Sequence, residues 1–525
     1  MEAGAGKLVR GALSLTLAAL IVKVIGVLYK VPMSYILGEE GMGYFNSAYS
    51  IYGFFYIITS SGIPRAITLN IVKLKDEYSS LAIISLYKRM LFVFGGCGFA
   101  ITVLVLLFSG PLSDILAAAG SHSPLIAISP CIFFVTLSGV AKGYLNAYER
   151  FGTIAVSQLI EALGKLILGL SFAYIGLKLS LSLSIISAFT ILGITLGSFV
   201  SMCYLLKSAN MHNTDDNTGQ RTTLSIKYAI SQVAKTAIPI TASSALAALS
   251  GVLDLALIMV GLRSIGFDET TANSLYGSYS TYAYPMISLT TALLSPIMAS
   301  ILPRLTEASL KRNTEDFNNA FSFAALLTAL ISVPAAMIFL LYPFDVLDIL
   351  FTSSGALGAS SMLAFMAPTA LILPALTLLN TALEAVGKPS FALASMCASL
   401  MIKVLLVIIL LPNYGVLSIP IATASSDLLA FIISFILLKR TYRPLKPAKK
   451  ICALIVVGLF IYSLSYLGSI YFGLYRGDQI STVLLILISS ITYLIPASSL
   501  VCGCFTSPQK NILHKKKNTI QHLER

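Results

Sequence analysis

Apolar residues in this chain come in runs of about twenty or more with short polar connections between them, a length that matches a bilayer's hydrocarbon core when the run is helical. About fourteen such runs can be followed, centred near residues 22, 57, 95, 135, 165, 193, 245, 288, 330, 372, 401, 427, 460 and 490. The longest internal connection, residues 207–227, contains the polar stretch HNTDDNTGQR and reads as a flexible linker dividing the chain. The pattern predicts an all-α polytopic membrane protein of about 14 transmembrane helices.

Composition agrees. The chain is 57% hydrophobic and 11% charged, where a soluble domain keeps roughly 25% charged residues. Lipid therefore solvates most of the surface, which restricts the spans to helices or a closed barrel. Runs of twenty, rather than alternating tens, select helices. The net charge of +13 comes without a basic stripe interleaved with aromatics, so nucleic acid is not expected as a partner. Most of the 35 lysines and arginines fall on connections that are cytoplasmic if the N-terminus is cytoplasmic, among them Lys439, Arg440, Arg443, Lys446, Lys449, Lys450 and Lys515 to Lys517. The expected location is the plasma membrane, with both termini cytoplasmic. Lys7 and Arg10 precede a run too long for a signal sequence, which reads as a retained first span.

Little in the chain points to an enzyme. No connection is long enough for a catalytic domain, and no phosphate-binding G-x-x-x-x-G-K-[ST] loop occurs. His122, His212, His514 and His522 lack metal-ligand spacing, and neither a metal nor a cofactor is expected. The seven cysteines lie in or beside apolar runs and imply no disulfide framework. Cys502 and Cys504 close the last span, where they could be acylated or bind metal, but with no partner Cys or His at ligand spacing they read as small interior residues.

The two sides of the linker resemble each other. Gly26-Val27-Leu28 recurs as Gly251-Val252-Leu253, and Arg10 as Lys235, both 225 positions on; Pro64-Arg65 recurs as Pro303-Arg304 at 239. Leu145-Asn146-Ala147 with Arg150 and Lys165 recurs as Leu383-Glu384-Ala385 with Lys388 and Lys403, at 238. The pattern predicts a duplicated six-span unit, giving two parallel six-helix lobes plus two extra C-terminal helices. The expected domains are an N-lobe at 1–206, a cytoplasmic linker at 207–227, a C-lobe at 228–438, spans 13 and 14 at 439–505, and a basic cytoplasmic tail at 506–525.

Charges inside the spans carry the candidate chemistry, because a cation at the bilayer centre costs roughly 2.5–3.5 kcal/mol on insertion scales. Lys23 lies roughly 20 Å along span one from Arg10 and Lys30 roughly 30 Å. Lys23 thus sits at cavity depth, while Lys30 either faces the cavity or snorkels to the outer interface. Glu161 and Lys165 share one helix face at i,i+4, which fits mutual neutralisation as well as a coupling role. Lys403 has no acid at helical spacing. Asp254 falls beside the repeat position of Lys30, and an outer-gate ion pair between them is expected. Span eight, Tyr276 to Pro285, is rich in hydroxyls; Tyr279 and Tyr282 suit either a sugar-facing wall or polar glue between helices. Gly62-Ile63-Pro64, Pro239, Pro285 and Pro296 mark expected helix breaks.

The stretch from RGALSLTLAAL to SSGIPRAI, and that from DLALIMVGLRS to ASILPRL, resemble the polysaccharide-exporter branch of the multidrug/oligosaccharidyl-lipid/polysaccharide superfamily, above all the stage V sporulation protein B group and related lipid II flippases. The resemblance covers residues 7 to 440. It is specific in G-x-E-G-M-G (Gly38 to Gly43), S-x-G-I-P (Ser60 to Pro64), and D-x(8)-R from Asp254 to Arg263 with Leu275-Tyr276-Gly277. It implies a flippase moving a polyprenyl-diphosphate-linked oligosaccharide, in particular the peptidoglycan precursor lipid II, from inner to outer leaflet by alternating access, for cell-wall or spore-cortex synthesis. It further implies that basic residues of span one meet the diphosphate, with Lys23 at one such position and Lys30 near a second. Spans 13 and 14 would hold the lipid tail, and membrane lipids and cell-wall synthesis enzymes would be partners. The chain departs from the pattern in having only Arg65 near the end of span two and no arginine in span eight. A cation-coupled multidrug exporter of the same superfamily calls for an acidic cavity, which the basic set disfavours. A glycan polymerase needs a long outer loop that is absent, and a non-transporting scaffold for envelope assembly or sporulation stays open.

Overall fold

The computed structural model describes residues 2–74, 78–116, 118–211, 226–441, 448–471 and 481–499. No strand occurs among them, as expected where each backbone must satisfy its own hydrogen bonds. The helices are α1 (Glu2–Leu74), α2 (Ser80–Leu107), α3 (Ser109–Ile115), α4 (His122–Ala147), α5 (Phe151–Lys178), α6 (Leu183–Asn210), α7 (Ile226–Ser264), α8 (Glu269–Gly277), α9 (Tyr284–Leu310), α10 (Thr314–Leu341), α11 (Pro343–Leu350), α12 (Ser353–Met366), α13 (Thr369–Ala385), α14 (Pro389–Tyr414), α15 (Ser418–Thr441), α16 (Ala448–Tyr471) and α17 (Ser481–Ser499). A π-helical turn, Ser278–Ala283, joins α8 to α9.

Every apolar run centre falls inside one of these helices. Among the described residues, nine helices are long and apolar enough to cross a membrane, or ten with the bent pair α12–α13. Two of these segments, Ile21–Leu74 and Pro389–Arg440, run to 54 and 52 residues, more than twice the ~20 that one crossing needs. Arg443, Lys446, Arg476, the linker core 212–225, Cys502, Cys504, His212, His514, His522 and the tail 506–525 lie outside the described residues. One expectation is corrected: α1 runs through Pro64 with helical backbone and breaks instead at Gly38, where φ is 63°. Glycine reaches that region at little cost, and other residues do not.

Packing groups the chain into two compact units, residues 1–281 and 282–525. The division does not follow the linker, because α7 and α8 pack on α1; it groups helices by contact in one conformation, whereas the lobes are defined by sequence repetition. In the first unit α4 is innermost, with 72% of its apolar window buried against 28% for α2 and 22% for α5. Ile67, Leu86, Tyr87, Met90, Val140 and Tyr144 form a core between α1, α2 and α4. Helix α5 meets α6 through small residues, Gly164 against Gly197 and Gly169 against Gly193, the contact membrane helices use when no water drives them together. A Cβ on Gly164 would stand 2.5 Å from the Gly197 Cα. Gly164→Val is therefore expected to lower stability by about 1–3 kcal/mol through overpacking. In detergent it should lower the melting temperature, whereas Gly96→Ala, with nothing within 4 Å, should not.

In the second unit, Leu294, Met298, Phe317, Phe321, Leu379 and Leu383 make the core of α9, α10 and α13. Leu454 and Tyr462 of α16 face Val333 of α10. The opposite stripe of α16, Val456, Phe460, Leu464 and Leu467, is at least 60% exposed, as a lipid-facing surface must be. Tyr462 and Ser490 (2.9 Å), with Ser489 and Ser465 (2.7 Å), tie α16 to α17.

One local geometry recurs. After α4, Glu149 takes φ 57° and the Arg150 N–H donates to the Leu145 carbonyl at 3.0 Å; after α13, Gly387 takes φ 77° and the Lys388 N–H donates to Leu383 at 2.9 Å. Both are left-handed caps with a six-to-one bond; they stand 238 positions apart, the offset of the surrounding sequence match, but the same cap also closes helices at Ser180, Gly266 and Arg312.

Candidate functional site

The break at Gly38 starts a second helical stretch whose one face carries Glu39, Gly43, Asn46 and Ser50, at spacings that align on a helix. That face meets α8 and the π-helical turn. Ser278 Oγ donates to Glu39 Oε2 at 3.2 Å, and Asn273 Nδ2 to the Glu40 carbonyl at 2.5 Å. Asn46 Nδ2 donates to Thr281 Oγ1 at 2.6 Å, and Ser50 and Tyr276 share a hydroxyl bond at 2.8 Å. The backbones approach closely enough that a Cβ on Gly43 would collide with Asn273, and one on Gly277 with the Glu39 carbonyl. The G-x-E-G-M-G and Leu-Tyr-Gly motifs are thus two halves of one polar seam.

Two charged groups reach the same turn. Lys30, half-buried, directs its Nζ to the Ser280 carbonyl at 3.4 Å. Asp254, 5% exposed, accepts from the Tyr279 hydroxyl at 3.1 Å. The expected Lys30–Asp254 ion pair does not appear among the described contacts; Lys30 meets Ser280 and Asp254 meets Tyr279, neighbours in the turn. A π turn shifts the backbone bonding register and recurs at functional sites, and here it presents a carbonyl to a cation.

Lys165 and Glu161 do not neutralise each other either. The Lys165 ammonium sits 4.8 Å from the ring centres of both Tyr29 and Tyr49, an arrangement in which ring faces attract the cation. Glu161 turns to α6, where Ser198 Oγ donates to it at 3.5 Å. Tyr29 is fully buried against Gly169, and a ladder of rings continues from Tyr29 through Phe45, Tyr49 and Tyr52 to Tyr56. Lys165 thus sits against Tyr29, the residue that precedes Lys30 in α1. Two cations therefore share this part of the unit, one caged by aromatic rings and one held on a neutral carbonyl.

The other sequence candidates lie elsewhere. Lys23 is exposed on the face of α1 that also shows Val24, Val27 and Leu28. It precedes Lys30 by two helical turns, about 10 Å, on the same side. Tyr279 is buried and spends its hydroxyl on Asp254. Tyr282 is fully buried in the second unit, where its ring packs edge-on to Phe351 at 4.9 Å and against Gly355. Lys403 is 3% exposed on α14, one turn after Ser399, whose hydroxyl donates to the Ser426 carbonyl of α15 at 3.0 Å. The structure thus brings Lys30, Lys165, Glu161, Asp254 and Tyr279 into the first unit with Lys23 above them on α1. Among the described residues no three His, Cys, Asp or Glu side chains converge to hold a metal.

Sequence reasoning missed Asn46, Ser50, Asn273 and the caging tyrosines. Each looks ordinary alone, and only the i,i+4,i+7 spacing of small and polar residues after Gly38 signals a helix face built for close contact.

Residues 8–309 match the model of the polysaccharide biosynthesis protein family. The lipid II flippase MurJ of Bacillus subtilis (strain 168) is 22% identical over 461 residues, covering 83% of each chain. Stage V sporulation protein B of the same organism is 20% identical over 429 residues, covering 81% of this chain and 82% of its own. Among solved structures, a lipid II flippase MurJ in an inward closed conformation superposes with a TM-score of 0.71 at 17% identity, covering 93% of this chain and 98% of that one.

Proposed function

The chain belongs to the polysaccharide biosynthesis protein family, and from that premise we propose that it is a flippase that carries a polyprenyl-diphosphate-linked oligosaccharide from the inner to the outer leaflet. The relatives named as a lipid II flippase and a stage V sporulation protein make lipid II, for cell wall or spore cortex, the first substrate to test. The observation that carries the reading is the placement of Lys30. It is a cation inside a membrane helix whose hydrogen-bond acceptor is a neutral carbonyl, with a second cation, Lys165, beside it. An ammonium removed from water keeps its cost until an anion compensates it, and a diphosphate is such an anion. Lys23, two turns earlier on the same side of α1, receives the diphosphate and passes it to Lys30.

Transport proceeds by alternating access of an N-lobe at 1–206 and a C-lobe at 228–438, joined by the cytoplasmic linker at 207–227. The ordered sequence matches at offsets of 225 to 239 support this duplication. The α1–α8 seam crosses the lobe boundary and closes the outer side, so it must part for release. Lys403, at the repeat position of Lys165, anchors the second lobe, and α16 with α17 takes the lipid tail. Both termini lie in the cytoplasm. A cysteine at Thr270, exposed in the first turn of α8, should react with an impermeant maleimide in whole cells, whereas one at Arg312, between α9 and α10, should react only after lysis. The reverse pattern inverts the topology.

The test of function is reconstitution. Vesicles containing the purified chain should move a fluorescent polyprenyl-diphosphate-linked sugar between leaflets without ATP and should leave a lipophilic cationic dye where it is. Transport of the dye alone would favour the multidrug exporter.

A further inference from the structure

Five hydroxyls at the turn between α8 and α9 that a sugar-facing wall would offer are already used. Tyr276 is bonded to Ser50, Ser278 to Glu39, Tyr279 to Asp254 and Thr281 to Asn46, while Ser280 Oγ donates back to the Tyr276 carbonyl at 2.7 Å. Lys30 adds the one contact from a full charge to this turn's backbone among the described bonds, and at 3.4 Å it is long, a length it shares with the Tyr276 hydroxyl's bond to the Asn46 carbonyl. Hydrogen bonds from nitrogen are strongest at 2.7–3.2 Å. A bond from an ammonium to an ionised phosphate is roughly twice as strong as one between neutral groups. The one charged tie to the turn's backbone is therefore both long and the one that an arriving anion competes for most strongly.

We infer that the Ser280 carbonyl is a stand-in for a substrate phosphate, and that a lipid diphosphate unlocks the outer seam by drawing Lys30 off it. The inference rests on the flippase reading and adds to it a coupling step: the seam opens because the substrate has arrived, not at random. When the ammonium leaves, the π-helical turn loses its charged tie to the first half of α1. Asn46 and Ser50 still hold it from the second half, beyond the Gly38 break. The two halves of α1 can then move differently with respect to the turn, with the break as the joint. Lys165 already fills the ring cage of Tyr29 and Tyr49, so Lys30 has no second resting place there. Empty transporter stays sealed, which prevents a leak of ions through an unoccupied path.

Hydrogen–deuterium exchange of the full chain in lipid nanodiscs reads the seam directly, through the peptide covering residues 269–287. Polyprenyl diphosphate added to the nanodiscs should raise exchange in that peptide several-fold in the wild type, while polyprenyl monophosphate should raise it less. Lys30→Gln keeps a neutral donor for the Ser280 carbonyl and should stay protected with or without the diphosphate. Lys30→Met removes the tie and should exchange fast without ligand. Asn46→Ala, a seam variant outside the latch, should exchange faster at rest yet keep its response. Inorganic pyrophosphate giving the lipid's full effect through Lys30 would assign the latch to any diphosphate; an effect from the lipid alone would assign it to a membrane-held headgroup. A Lys30→Gln protein that responds like wild type, or a Lys30→Met protein that is no faster at rest, overturns the latch. Those two results leave the flippase reading standing if the wild type still moves the fluorescent lipid in vesicles. Loss of that transport overturns the parent reading instead.

Discussion

Lys30→Met in reconstituted vesicles is expected to cut transport of a polyprenyl-diphosphate-linked sugar about 10- to 100-fold, while Lys30→Arg keeps most of it. The magnitude follows from one charge-assisted bond, worth about 1.5–3 kcal/mol, at about 1.4 kcal/mol per factor of ten. Fold stability should change little, because Lys30 makes a single long bond to the Ser280 carbonyl. The loss should appear in the rate at saturating substrate as well as in apparent affinity, since, as proposed, the same lysine both binds the diphosphate and frees the seam. Arginine restores charge and offers a planar fork suited to phosphate. Lys165→Met should be milder for transport but harder on the fold, because Lys165 fills a cage built by Tyr29 and Tyr49. Full transport by Lys30→Met, at normal protein level, would remove the assigned site.

Closing the seam covalently should have the larger effect. Asn46 and Thr281 touch at 2.6 Å between side chains, so cysteines at both positions can be joined by a short reagent. In a background without the other reactive thiols, cross-linking should arrest transport almost completely, and reversing the link should restore it. Either single cysteine should transport near normally after the same treatment. The magnitude is set by geometry: if release requires α1 and α8 to separate, a closed covalent seam leaves no path. Continued transport by the linked protein would mean that substrate leaves by another route and that the seam is structural.

Much of the fold was legible in the apolar runs, because lipid rewards long uninterrupted hydrophobic helices and forbids irregular backbone. The site was legible only in part. The cost of burying Lys30 and Lys165 marked them in the sequence, yet their partners did not follow from it. Helical spacing suggested that Glu161 would neutralise Lys165, but Tyr29 and Tyr49 from α1 offered the cation a cage and α6 offered the carboxylate Ser198. Repeat arithmetic set Asp254 beside the counterpart of Lys30, and both do reach one turn. They reach adjacent residues of it, because the π-helical register turns the Ser280 carbonyl and the Tyr279 hydroxyl in different directions. The proline signal failed at Pro64 for a related reason. A helix interior absorbs a proline when packing holds it straight, and the left-handed backbone at Gly38 supplied the break instead. Tyr282 was read for its hydroxyl, but its ring decides its place, against Phe351 and the bare backbone of Gly355.

The central claim is that this chain moves a lipid diphosphate across the membrane, and the distribution of that lipid between leaflets tests it most directly. In cells depleted of the protein, with Lys30→Met and wild type supplied in turn at matched levels, lipid-linked precursor should accumulate in the inner leaflet on depletion. Wild type should clear it and Lys30→Met should not. An unchanged distribution on depletion, in cells with no second flippase to compensate, would contradict the account.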